Sequence, residues 1–210
     1  VELALKTVFS AQILAELAQE IELGGDLVRQ PAITARVMDE AQRLPLSFAQ
    51  QRLWFIDSLE GESAHYNMPG VLHLQGALDV SALTQALNTI VDRHESIRTC
   101  FRQHDGEVYQ EILTKVNVTL PITDLSDFSA DDRHAKVQIM TEAEARLSFD
   151  LSGDVMLRAQ LIKQGGEDHL LLLTMHHIAS DGWSVGVLLG ELKQLYRANL
   201  LGQDNPLPEL

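Results

Sequence analysis

Two adjacent histidines and a nearby aspartate are the residues of this sequence whose types and spacing are best suited to chemistry. The stretch MHHIASDGWS, Met175 to Ser184, places His176 and His177 directly after an apolar run, and Asp181 directly before Gly182. A neutral imidazole accepts a proton near pH 7, and a neighbouring carboxylate holds such a group in place. The combination is typical of an active site that uses histidine as a proton acceptor.

The local pattern leaves two other interpretations open. A metal site would need histidine and aspartate on one surface, but Gly182 and the preceding strand pattern argue against a helix there, and no third ligand is obvious. Both histidines could also be core residues with backbone partners. Adjacent strand residues point to opposite faces, so one of the pair is expected to be structural. No G-x-S-x-G nucleophile motif is present, which favours direct transfer from a bound acyl donor over an acyl-enzyme.

Composition limits the classes of protein that are possible. A chain of 210 residues with 45% hydrophobic content predicts one sizeable core with short appendages. The net charge of −14 disfavours nucleic acid and anionic membranes as partners. One cysteine excludes an internal disulfide, and no stretch approaches the roughly 20 apolar residues of a membrane span. With no signal peptide visible, we expect a cytoplasmic location, although the sequence does not begin with Met.

The sequence divides into a short helical segment, residues 1–22, a linker, residues 23–44, and a body, residues 45–210. In the first segment, Ser10 is expected to cap a helix that Gly24 and Gly25 end. The linker is mixed and polar, contains Pro31 and has no sustained period.

The body alternates strand and helix patterns, which predicts an α/β fold. Helices are predicted to begin near Ser47, at Asp79 and after Gly182, and another over DDRHAKVQIMTEAEARLSF. The predicted strands are GVLHLQG, a hairpin of SIRTCF and EVYQEI, and the pair VMLRAQLIK and DHLLLLTMHH. The last of these is apolar on both faces and is therefore predicted to be central. The histidines accordingly lie where a buried strand ends and a helix begins.

Three segments together resemble a known family. HHIASDG resembles the HHxxxDG active-site motif of the condensation domains of nonribosomal peptide synthetases, which belong to the chloramphenicol acetyltransferase-like superfamily. LSFAQQRLWF, residues 46–55, resembles the family's first core motif, S-x-A-Q-x-R-L-W. RHESIRTCF, residues 93–101, resembles its second core motif, R-H-E-x-L-R-T-x-F, with Ile97 in place of the usual leucine. The resemblance implies a mixed β-sheet covered by helices, and the match extends only to the first of the family's two lobes.

The segment before the body resembles the last helix of a peptidyl carrier domain. Its LGGDL, residues 23–27, lacks the serine that would carry phosphopantetheine, so we expect no covalent cofactor on this chain. We also expect no metal, because no third ligand accompanies the histidine and the aspartate. The resemblance implies phosphopantetheine arms delivered by upstream and downstream carrier domains. It also implies a second condensation lobe and an adenylation domain in the same synthetase.

The resemblance further implies a role for each site residue. His177 would contact the attacking amine, and Gly182 would leave room for substrate and offer its N–H to the oxyanion. Asp181 would form an ion pair with Arg93, and His176 would be structural. The implied reaction is amide bond formation between a carrier-bound thioester donor and a carrier-bound aminoacyl acceptor, with the fragment expected to be inactive alone. A noncatalytic interaction lobe, or an ester-forming or epimerising relative, is the alternative. Trp183 and Trp54 are expected to be core or wall residues.

Overall fold

The computed structural model describes residues 5–11, 13–22, 43–61 and 63–210, and divides into two compact units, Val1–Ala41 and Gln42–Leu210. The first unit contains helices α1, Leu5–Ser10, and α2, Leu14–Glu22. The expected cap at Ser10 is wrong, because Ser10 is the last residue of α1 and its hydroxyl donates to the Lys6 carbonyl at 2.8 Å. Most of the predicted linker, with Gly24 and Gly25, lies outside the described residues.

The second unit is built around a four-stranded mixed sheet. Its strands are β2, Asn67–Gln75, β5, Ile122–Asp124, β6, Leu157–Gly165, and β7, Asp168–His176. Their order across the sheet is β2-β7-β6-β5, with β5 and β6 parallel and the other pairs antiparallel. The predicted central position of β7 is confirmed, which explains why its sequence is apolar on both faces.

A smaller antiparallel sheet belongs to the same unit. It has the strand order β1-β4-β3, with β1 at Leu44–Pro45, β3 at Thr99–His104 and β4 at Glu107–Ile112. The hairpin predicted from HDG is present, and Asp105 and Gly106 make its turn with φ of 51° and 83°. A short 3-10 helix, Glu95–Arg98, leads into β3.

Four helices complete the second unit, and they begin where the sequence predicted. They are α3, Phe48–Glu60, α4, Val80–Arg93, α5, Ala130–Arg146, and α6, Gly182–Leu200. The first three begin after side-chain caps that accept a backbone N–H, namely Ser47, Asp79 and Ser129. No helix in the described ranges is both long and apolar enough to cross a membrane.

Helices cover both faces of the four-stranded sheet. Leu171 and Leu173 of β7 belong to the largest core cluster, which includes buried residues of α4 and α6. Leu172, from the opposite face of the strand, packs with Ile162 and with Val137 of α5. The alternation of β7 side chains between two apolar layers makes the unit an α/β structure with a mixed sheet between helices, as predicted.

The core position of Leu171 gives a direct test of this layering. Leu171 is fully buried, so Leu171→Ala should lower the free energy of unfolding by about 2–5 kcal/mol, because it removes methyl groups and leaves a cavity. Val71→Ala, on the exposed side of β2, should cost less than about 1 kcal/mol. Urea unfolding measures both values, and an equal loss for the two variants would contradict the assigned faces.

Candidate active site

His177 is the first residue after β7, and its backbone is anchored while its side chain is exposed. The strand ends at His176, and the His177 N–H donates to the Tyr66 carbonyl at 2.9 Å. The chain then turns through Ser180 and enters α6 at Gly182. The imidazole is therefore held at the carboxyl end of a central strand, where a ligand can approach it.

A backbone contact fixes the orientation of the His177 ring. Its Nδ1 lies 2.7 Å from the Ser180 carbonyl oxygen. Because a carbonyl oxygen only accepts hydrogen bonds, Nδ1 carries the proton and donates it. In the neutral ring Nε2 then keeps its lone pair. The ring can accept a proton or a hydrogen bond at Nε2 without losing its anchor.

His176 has the opposite environment. It is only 2% exposed and makes edge contacts with the rings of Phe149 and Tyr66, at centroid distances of 5.7 and 6.4 Å. Its Nδ1 accepts the Ile178 N–H at 3.2 Å. Burial, followed by the electrostatic effects of His177 and Arg158, lowers the pKa of His176 to about 4. His176 therefore has the buried, neutral character expected of the structural histidine.

Asp181 serves as the N-terminal cap of α6. Its carboxylate accepts from the Ser184 N–H at 2.8 Å and from the Ser184 hydroxyl at 2.6 Å, while that hydroxyl also accepts the Asp181 N–H at 3.3 Å. Hydrogen bonds from the Ser184 side chain and backbone hold the pKa of Asp181 below its usual value. The aspartate thus stabilises the turn that follows His177.

The ion pair implied between Asp181 and Arg93 is wrong for this structure. Arg93 instead donates from Nε to Glu191 at 3.2 Å and from Nη1 to the Pro208 carbonyl at 2.5 Å. Asp181 is exposed at the start of α6, where its carboxylate accepts hydrogen bonds from Ser184. The carboxylate of α6 that contacts Arg93 is that of Glu191. Both residues remain structural supports, but with different partners.

Gly182 is the first residue of α6 and borders an apolar groove. Because it is the first helical residue, no carbonyl of a preceding helical turn is available to accept its backbone N–H. A Cβ added at Gly182 would meet no atom within 4 Å, so packing among the described residues does not require glycine. The groove has a volume of about 330 Å³ and is lined by Met68, Leu173 and Val185 among others. The expected role of Gly182 toward substrate therefore stays a prediction.

The two tryptophans differ in position. Trp183 is 84% exposed and lines a cavity with His94 and Ser184, so of the two expected roles, core or wall, it fits the wall. Trp54 is partly buried and packs against the cluster around Leu46 and Phe101. Aromatic character alone did not separate these two environments.

Three residues of the site were not singled out from the sequence. Tyr66 and Ser180 hold His177 through their carbonyl oxygens, and any residue type can supply a carbonyl. Ser184 completes a reciprocal cap with Asp181, and the spacing of three residues between them was the signal available for it. Among the residues that the structure describes, no group of three or more His, Cys, Asp or Glu side chains is arranged to hold a metal ion.

Comparisons with known proteins show the family to which the chain belongs. Residues 40–210 match the family model described as the condensation domain, and the chain belongs to that family. It is 41% identical over 213 aligned residues to a linear gramicidin synthase polypeptide of Brevibacillus parabrevis, an alignment that covers 100% of this chain and 4% of that protein. Malpibaldin synthetase of Mortierella alpina is 39% identical over 212 residues, again covering 100% of this chain and 4% of that protein.

Solved structures show the same fold. The first condensation domain of the CDA synthetase matches with a TM-score of 0.72 and 26% identity, over 80% of this chain and 43% of that chain. The starter condensation domain of rhizomide synthetase RzmA matches with a TM-score of 0.72 and 22% identity, over 79% and 41%. The sequence thus spans about two fifths of each of these solved domains.

The cap at Asp181 is testable by paired substitutions. Asp181→Ala should lower the free energy of unfolding by about 1 kcal/mol, because it removes the acceptor for the Ser184 N–H. Asp181→Asn should cost less, because asparagine is an equally good cap residue. Thermal or urea unfolding compares the two variants. Equal losses for both would favour a charge-dependent partner over capping.

The low pKa of His176 predicts how stability depends on pH. The unfolded chain takes up this proton near pH 6.5 and the folded chain only near pH 4, so stability is complete above pH 6.5 and falls as the pH drops towards 4. The difference corresponds to at most about 3 kcal/mol. His176→Asn, whose amide oxygen can accept the Ile178 N–H, should flatten this part of the pH profile.

The measurement is urea unfolding between pH 4.5 and 7. His134→Asn, a change at an exposed residue of α5, is the matched control and should leave the slope as it is. A slope that persists in His176→Asn would show that another group causes it.

Proposed function

We propose that this chain supplies the first lobe of a condensation domain in a nonribosomal peptide synthetase. The reaction joins a carrier-bound acyl or peptidyl thioester donor to a carrier-bound aminoacyl acceptor through an amide bond. The observation that carries the proposal is the exposed His177, whose Nδ1 is committed to the Ser180 carbonyl and whose Nε2 is left to accept. Family membership supports the same reaction.

The acceptor amine needs a hydrogen-bond acceptor more than it needs a strong base. An α-amine has an ordinary pKa of about 7.7–8.0, so roughly a tenth or more is neutral at pH 7. In the proposed reaction the neutral amine nitrogen attacks the donor carbonyl carbon, the C–N bond forms, and the C–S bond breaks. His177 Nε2 orients the amine and accepts its proton, which then leaves with the thiol.

Gly182 supports the other end of this step. As attack proceeds, negative charge develops on the donor carbonyl oxygen, and a backbone N–H at a helix N-terminus stabilises such charge. Gly182 has that N–H, and the absence of a side chain lets an acyl group approach it closely. The apolar groove beside it keeps water away from the thioester.

The substrates would arrive on phosphopantetheine arms of upstream and downstream carrier domains. This fits a site that is open at the surface of the lobe and lies at the end of a strand. Residues 1–22, predicted as one helix but containing α1 and α2, would be the end of the upstream carrier. Residues 23–44 would be the linker, and residues 45–210 the condensation lobe. Because the chain spans about two fifths of the solved domains, we expect turnover to require the second lobe. The adenylation domain would load the acceptor.

The test is His177→Ala in a complete condensation domain that carries this chain as its first lobe. Peptide formation from loaded carriers should fall by about 10²–10⁴, because the amine loses its acceptor. The melting temperature should stay close to that of the unsubstituted domain, because the side chain is exposed.

His65→Ala is the matched control, since His65 is an exposed histidine outside the site. It should leave the yield of peptide as it is. Unchanged yield in His177→Ala would reject the proposed role of this histidine. It would favour a noncatalytic interaction lobe.

A further inference from the structure

Glu191, which none of the three motifs contains, binds two residues of the second motif. Its Oε1 lies 3.2 Å from Arg93 Nε, and its Oε2 lies 2.6 Å from His94 Nε2. Arg93 is the last residue of α4 and His94 is its C-terminal cap, whereas Glu191 belongs to α6. We call these three side chains the Glu191 cluster. It joins the end of α4 to the middle of α6 through both carboxylate oxygens.

The cluster is largely removed from solvent. The side chains of Arg93, Glu191 and His94 are 11%, 12% and 22% exposed. A carboxylate in such a place is retained at low cost only when donors satisfy it, and removing one partner of a buried pair is strongly unfavourable. Arg93 also donates to the Pro208 carbonyl, so the segment after α6 is tied to the same guanidinium. The Glu191 carboxylate therefore adds a polar connection between these segments, beside the apolar contacts of α4 with α6.

The same cluster borders the turn that carries His177. His94 lines a cavity of about 160 Å³ whose other walls include Ala179, Trp183 and Ser184. Glu191 is nine residues after Gly182 on one continuous helix, about 14 Å along its axis. A shift of α6 as a rigid helix at Glu191 would therefore also move its first turn.

The first turn of α6 is connected to the His177 ring by short contacts. Ser184 holds Asp181 through the reciprocal cap, and the neighbouring Ser180 carbonyl holds His177 Nδ1. We propose that Glu191 is a positioning residue, which sets the place of α6 against α4 and thereby the orientation of the His177 ring. The catalytic meaning of this role rests on the proposed function, but the role itself concerns only geometry and is measured without turnover.

Glu191→Gln in the 210-residue chain tests the proposal. The amide keeps the shape of the side chain but removes the charge that Arg93 and His94 share. We expect a lower melting temperature and at least a roughly tenfold loss of amide hydrogen-exchange protection at Ser184 and Val185, whose N–H groups bond to Asp181. The two-bond nitrogen–proton NMR spectrum should also show a smaller fraction of His177 rings protonated at Nδ1.

Two controls separate positioning from general stability. Asp92→Asn removes one negative charge from an exposed residue beside the cluster and should change none of the three readouts. Amides of β6 and β7 in Glu191→Gln report the global loss, which the loss at Ser184 and Val185 should exceed. Arg93→Lys keeps the positive charge but removes the guanidinium that donates to the Pro208 carbonyl. If Glu191→Gln does not fold, Arg93→Lys allows the same comparison of protection at Ser184 and Val185 with protection in β6 and β7.

The proposal is overturned if protection falls equally throughout the second unit, or if the His177 ring keeps its proton distribution. Either result would make the cluster a structural ion pair only. An inactive His177→Ala domain together with an unaffected ring in Glu191→Gln would uphold the proposed function and reject this inference. The reverse pair of results would uphold the inference and reject the function.

Discussion

The hydrogen bond between the His177 ring and the Ser180 carbonyl decides which imidazole nitrogen faces outward. At 2.7 Å it commits Nδ1 as a donor, so the exposed Nε2 is the acceptor. The Tyr66 carbonyl holds the backbone of the same residue at 2.9 Å. An exposed histidine without these contacts would sample several rotamers, and ordering it at the moment of binding would cost free energy. The structure makes that ordering part of the fold.

Three other side chains stabilise the turn that follows β7. His176 packs against the rings of Phe149 and Tyr66 and stays neutral at neutral pH, because burial lowers its pKa to about 4. Asp181 caps α6, and Glu191 binds the end of α4. Both acidic groups therefore act on helix geometry, and within the part of the chain that the structure describes neither is hydrogen-bonded to the His177 ring. This differs from a triad in which a carboxylate orients the histidine directly.

Much of the architecture was predictable because the hydrophobic patterns are strong. The central place of β7 followed from its apolar residues on both faces, and the α6 start from Gly182 and the leucines that follow. The partners of charged side chains could not be predicted from the sequence. Asp181 and Glu191 are both acidic residues of α6 and its cap, and only the packing of α6 on α4 shows which one meets Arg93. Phe48 and Trp183 are 91% and 84% exposed although aromatic residues favour burial. Their exposure could therefore not be predicted from residue type.

The protonation pattern of the His177 ring in the unsubstituted chain directly tests whether the Ser180 carbonyl orients this ring. A two-bond nitrogen–proton NMR spectrum at neutral pH distinguishes a protonated ring nitrogen from one that has a free lone pair. We predict that Nδ1 carries the proton and that Nε2 has the free lone pair. A neutral ring protonated at Nε2, or an even mixture of the two forms, would contradict it, because the nitrogen facing the substrate would then be a donor.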